Sequence, residues 1–151
     1  MANSATVLVL SVLALVLGAG AETLSPKFLG VGFPVLMAAV QFAAVRRSAA
    51  AALFALAAGA MEDALSSLPA ATSASYFLAL AALVRWSGMP YAVALFAYPA
   101  YQAWLFVWTG GPGGGVFGHA LLALPVGMAT TLAVGIALGW AERKAAVDEE
   151  G

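Results

Sequence analysis

Polar residues interrupt this chain rarely, and the intervals between them are long apolar runs. The first run covers about 5–20 and stops at Glu22; the second covers 28–45, after Ser25-Pro26-Lys27, with Pro34 a candidate kink. Arg46-Arg47-Ser48 opens a third, alanine-rich run over 49–61, which meets Glu62-Asp63 and ends before Pro69. A fourth occupies about 71–84 and closes with Arg85-Trp86. The fifth, 90–108, begins on Pro90, a residue suited to a first helical turn. After the glycine-rich stretch 109–115, a sixth runs from about 116 to 140 and is followed by a charged tail. Helices are the expected form of all six, because lipid offers no partner to an unpaired backbone N–H or C=O.

Composition explains why lipid is the relevant solvent. Of the 151 residues, 64% are hydrophobic and 9% charged, against roughly a quarter charged in a typical soluble domain. Mean hydropathy is +0.98. A span needs about 20 apolar residues to cross about 30 Å of hydrocarbon, so the chain has room for six with short loops. The expectation is an all-α polytopic transmembrane bundle of six helices over 1–141, with a charged C-terminal tail over 142–151.

Basic residues favour the cytoplasmic flank. Six crossings place Arg46, Arg47, Arg85, Arg143 and Lys144 on one side, together with both termini, and leave Lys27 on the other. Both termini are therefore expected in the cytoplasm. Residues 1–21 could also be read as a signal peptide, since Ala19-Gly20-Ala21 is a small-residue cleavage pattern, but a basic leader is missing and an uncleaved first span is expected.

The chain has no cysteine, which excludes disulfides, thiolate metal sites and a cysteine nucleophile. A net charge of −1 excludes nucleic-acid binding through a basic surface. Glu62 and Asp63 are the acids inside the apolar body, and an intramembrane carboxylate is a functional candidate by default. Two readings stand side by side. Either the pair sits at the non-cytoplasmic interface, solvated or paired with Lys27, and ends its helix, or it is buried; a carboxylate near a helix C-terminus opposes the macrodipole, and Asp63 could instead cap the backbone that follows. His119 reads as an interfacial polar residue rather than a ligand, and no metal or cofactor is expected. The 109–115 loop lacks the Lys-Ser/Thr ending of a phosphate cradle, and no Gly-x-Ser-x-Gly occurs, so no enzyme chemistry is expected.

Small residues recur at helical spacing: Ala14 and Gly18 in the first run, Ala51, Ala55 and Gly59 in the third. Such faces let helices approach closely, either within the bundle or against another membrane protein. Trp86, Tyr91, Tyr98, Tyr101, Trp104, Trp108 and Trp140 cluster toward the ends of runs and read as interfacial anchors.

Gly59, Asp63, Leu65, Ser66 and Pro69 stand in an order, glycine, aspartate, Leu-Ser, proline, that resembles the most recognisable stretch of the MreD family of bacterial rod shape-determining proteins; Ala71 stands where that family often has glycine. The resemblance implies a non-enzymatic, multi-pass inner-membrane scaffold of the cell-wall elongation machinery, with MreC and through it MreB, RodA and a penicillin-binding transpeptidase as partners. It also implies a fold similar to the substrate-binding subunits of energy-coupling-factor transporters. From that similarity comes the alternative, a subunit that captures a vitamin or other small molecule at the outer face near Glu62 and Asp63.

Overall fold

The computed structural model describes residues 4–29, 33–46, 50–66, 68–87, 89–109 and 116–150, and among them it contains six α-helices and no strand. They are α1 (Ser4–Leu29), α2 (Val35–Val45), α3 (Ala51–Ser66), α4 (Thr72–Trp86), α5 (Pro90–Thr109) and α6 (Val116–Glu150). The all-helical class and the number of helices agree with the apolar pattern. Several boundaries differ, and each difference has a tertiary cause.

The first helix does not stop at Glu22. It continues to Leu29, and α2 starts seven residues later than the pattern suggests, at Val35. An isolated acid looks like a solvated break only if its side chain reaches water; here Glu22 Oε1 accepts the Leu36 backbone N–H at 2.7 Å. Pro34 occupies the N-cap of α2, where its missing N–H costs nothing, instead of kinking a longer helix. At 11 residues, α2 rises only about 16 Å, short of a full crossing by helix alone.

Glu62-Asp63 do not end α3, which runs on to Ser66. The charged segment expected as a separate tail continues α6 as helix to Glu150. Glu142 on that extension pairs with Arg46 at 3.0 Å, and the Lys144 ammonium lies 5.3 Å from the centre of the Trp140 ring.

The core is built around α2, whose Leu36, Met37 and Val40 are buried against Phe54 and Ala55 of α3, Phe77, Leu80 and Val84 of α4, and Tyr101 of α5. α3 and α4 form the tightest pair. A Cβ added at Gly59 would sit 2.6 Å from the Ala74 backbone nitrogen, so the two helices touch backbone to backbone. The turn between them places Ala71 at φ 69, in the left-handed region that glycine adopts without penalty.

Apolar side chains point outward as well as inward: Leu17, Leu53, Leu83, Leu132 and Ile136 are all exposed. Ala123–Lys144 of α6 is long and apolar enough to cross a membrane. Only 17% of its most apolar window is buried, so most of that apolar surface faces outward.

Candidate functional site

The α3–α4 turn concentrates the polar side chains of the bundle. Pro69 ends the α3 pattern, and its carbonyl accepts both the Thr72 backbone N–H at 3.2 Å and the Thr72 hydroxyl at 2.8 Å. Ala71, the N-cap of α4, has no side-chain acceptor to offer the first turn. Asp63 supplies it from the neighbouring helix: Oδ1 accepts the Ser73 N–H at 2.7 Å and Oδ2 the Ala74 N–H at 3.4 Å. The side chain is buried.

This arrangement resolves the placement of an acid near the C-terminal end of α3. Its charge opposes the dipole of its own helix but faces the positive end of α4, where unpaired N–H groups and the macrodipole both favour an anion. Gly59, one turn earlier, permits the approach that brings Asp63 within reach.

A second shell of bonds ties α5 to the same turn. The Ser73 and Tyr101 hydroxyls are 2.6 Å apart, the Trp104 indole N–H donates to the Thr72 carbonyl at 3.1 Å, and the Tyr76 hydroxyl donates to the Ala97 carbonyl at 2.5 Å. The Tyr76 and Tyr101 rings lie 5.0 Å apart and Phe77 and Tyr101 5.7 Å. Tyr101 and Trp104 are thus bundle contacts rather than interfacial anchors, a correction to the pattern reading; Trp86, Tyr91, Trp108 and Trp140 remain exposed. The apolar environment of α5 made its ring residues look alike in sequence, and only the facing polar groups of α4 separate them.

Elsewhere in the bundle, Gln41 of α2 donates to the Ala94 carbonyl of α5 at 3.5 Å and accepts from Thr131 of α6 at 3.0 Å. Glu62 accepts from the Ser66 hydroxyl one turn later at 3.2 Å. Glu62 and Asp63, neighbours in sequence, therefore serve different contacts.

The remaining candidates are dispersed. Leu65, Ser66 and Pro69 are exposed, Ala14 is half-buried, and Gly18 is buried where an added Cβ would come within 2.9 Å of Leu36. Ala51, Ala55 and Gly59 are buried inside the bundle. These small-residue faces are consumed by internal packing and are not free for a partner. Arg46 stacks on Phe42 as well as pairing with Glu142, while Arg85, Arg143 and Lys144 are exposed; Arg47, the 110–115 segment and the side chains of Lys27 and His119 lie outside the described residues.

No protein-family model, curated protein or solved structure matches this chain.

The chemistry of the site is limited by its own atoms. Both Asp63 oxygens are occupied by backbone donors, and the described partner of the Ser73 hydroxyl is a phenol rather than a base. Among the described residues no group of three or more His, Asp or Glu is placed to hold a metal. Sequence reasoning passed over Glu22, Gln41, Ser73 and Thr131 as contributors. The available signal was modest: polar residues in runs so apolar must find partners.

Proposed function

We propose that this protein is a non-enzymatic integral membrane scaffold subunit, with six helices embedded as a multi-pass bundle and both termini cytoplasmic. The observation that carries the reading is the use made of Asp63: the buried carboxylate joins α3 to α4, with each oxygen accepting a backbone N–H of the first turn of α4. Its neighbours Ser73, Tyr101, Thr72 and Trp104 are likewise spent on holding helices together. A molecule whose interior polar groups are committed to geometry, and whose outer surface is apolar, is suited to presenting fixed faces to lipid and to other helices.

The short α2 fits a membrane bundle because it is enclosed by other helices. Non-helical backbone at membrane depth is tolerated where protein covers it, and Pro34 at the entry to α2 is buried. The faces left for partners are the outer ones. On α6, Gly135 and Gly139 lie one turn apart with nothing within 4 Å of an added Cβ, flanked by exposed Leu132, Ile136 and Trp140.

The resemblance of Gly59, Asp63, Leu65, Ser66 and Pro69 to MreD supplies the proposed setting: the cell-wall elongation machinery of a bacterial inner membrane, with MreC and through it MreB, RodA and the penicillin-binding transpeptidase. The transporter alternative has less support, since Asp63, expected beside its pocket, is already engaged.

Affinity purification of the tagged protein in mild detergent, with mass spectrometry of proteins and small molecules that co-purify, tests the proposal. Recovery of MreC or the transpeptidase is the expected result. Recovery of an ATPase-coupled transport module or a retained vitamin overturns it.

A further inference from the structure

A stretch of α1 recurs in α3. Residues 14–25 read Ala-Leu-Val-Leu-Gly-Ala-Gly-Ala-Glu-Thr-Leu-Ser, and residues 55–66 read Ala-Leu-Ala-Ala-Gly-Ala-Met-Glu-Asp-Ala-Leu-Ser. Six of the twelve positions are identical, and Glu22 falls opposite Asp63. An alanine-rich composition produces matches by itself; what sets this one apart is that the matched residues make the same contacts in the fold.

Glu22 Oε1 accepts the Leu36 N–H in the first turn of α2 at 2.7 Å. Asp63 Oδ1 accepts the Ser73 N–H in the first turn of α4, also at 2.7 Å, and Oδ2 accepts that of Ala74. One turn before each acid stands a glycine packed on a capped residue. A Cβ at Gly18 would lie 2.9 Å from the Leu36 side chain, and one at Gly59 would lie 2.6 Å from the Ala74 backbone nitrogen. Neither capped helix has a cap of its own, since Pro34 and Ala71 make no side-chain bond to the first turn. Burial repeats as well: Gly18 and Gly59 are buried, Leu24 and Leu65 exposed.

We propose that α1–α2 and α3–α4 are two copies of one helix-pair unit, in which a carboxylate one turn beyond a glycine crosses from the first helix to cap the second. Glu22 is then the positioning residue of α2, as Asp63 is of α4. The inference does not depend on the scaffold reading.

Glycine and acid act together. A helix N-terminus presents unpaired N–H groups and a partial positive charge, and an acid on a neighbouring helix reaches them only where the two helices approach closely, which glycine permits. The length of the acid follows the approach. Gly59 meets the backbone of α4, and an aspartate spans the gap; Gly18 meets a side chain of α2, the helices stand farther apart, and the acid carries one more methylene. The units differ in one respect. Glu22 uses Oε1 alone, its Oε2 being enclosed without a donor, whereas both Asp63 oxygens are engaged.

The chain has no cysteine, so spin labels can be placed in the full-length protein in phosphatidylcholine nanodiscs. Val9→Cys with Arg46→Cys reads α1–α2, and Leu53→Cys with Leu83→Cys reads α3–α4, all at exposed positions. By pulsed electron resonance, Glu22→Ala should lengthen and broaden the α1–α2 distance and leave α3–α4 unchanged, and Asp63→Ala should do the reverse. Glu22→Gln keeps an acceptor for the Leu36 N–H and should hold the wild-type α1–α2 distance. Glu22→Asp, one methylene short, should behave as Glu22→Ala. In denaturation each alanine variant should raise the unfolded-to-folded ratio by roughly two- to thirtyfold, the span of a lost helix cap, and the double variant by the product of the two. A wild-type α1–α2 distance in Glu22→Ala or in Glu22→Asp, a Glu22→Gln as disruptive as Glu22→Ala, or an alanine variant that opens both pairs alike would each overturn the proposal. Should Glu22→Ala fail to fold, the contrast between Glu22→Gln and Glu22→Asp decides it.

Discussion

Replacing Asp63 by alanine removes both acceptors from the first turn of α4 while leaving Ser73 and Ala74 buried. Loss of a capping side chain costs about 0.5–2 kcal/mol. A buried N–H left unpaired costs about 1–3 kcal/mol, and these two figures overlap because the cap is the hydrogen bond. The expected destabilisation is therefore about 2–3 kcal/mol, with the methyl side chain too short to recruit a substitute acceptor. Asp63→Asn keeps the Oδ1 acceptor for the 2.7 Å bond from Ser73 but sets an NH2 donor where Oδ2 accepts the longer 3.4 Å bond from Ala74, and it loses the charge–dipole attraction, about 0.3–1 kcal/mol and up to about 2 when buried. Denaturation in mixed micelles, followed by circular dichroism, reads the difference. The ordering wild type, Asp63→Asn, Asp63→Ala is expected, with Leu65→Ala, on the exposed face of the same turn, close to wild type. If Asp63→Ala matched wild type, or if Asp63→Asn were as damaging as Asp63→Ala, the capping argument would be refuted. In the proposed scaffold, Asp63→Ala should also reduce partner recovery.

Gly59→Ala puts a methyl group 2.6 Å from the Ala74 nitrogen, which forces α3 and α4 apart; a loss of at least about 1–3 kcal/mol, typical of overpacking, should appear in the same denaturation assay. Ala71→Gly relieves a left-handed residue at φ 69, which costs about 1–2 kcal/mol in a side-chain-bearing residue, offset in part by the greater freedom of glycine in the unfolded chain. A small gain in midpoint is expected, and a loss would show that the turn is not strained. Arg46→Ala breaks an ion pair whose side chains are 57% and 41% exposed; exposed pairs contribute about 0–1 kcal/mol, so the midpoint should hardly move, and a large shift would point to a stronger link between α2 and α6 than the geometry provides.

The lipid-like composition and the six apolar runs were legible in the sequence because they are local properties: few charges, long intervals between them, and a glycine-rich break before the last run. The helical class follows from those same intervals, since backbone groups in so apolar a chain must bond within their own segment. Importance of Asp63 was legible too, through the cost of a carboxylate in an apolar run. The small-residue spacing of Ala51, Ala55 and Gly59 announced a close helix contact, though not which surface would make it.

Tertiary structure alone decided where polar residues end helices and where they join them. Glu22 reads as a break along the chain, yet it lies inside α1 and bonds α2 fourteen residues later. Asp63 and Glu62 are adjacent in sequence, but a helix turns successive side chains about 100° apart, so one meets α4 and the other bonds Ser66 on the surface of its own helix. Tyr101 differs from Tyr91 only in what faces it: Ser73 in one case, an exposed surface in the other. Apolar patterning is a one-dimensional signal of solvent, whereas partner choice for each polar atom depends on which helices pack together, and that is set by the summed contacts of the whole bundle.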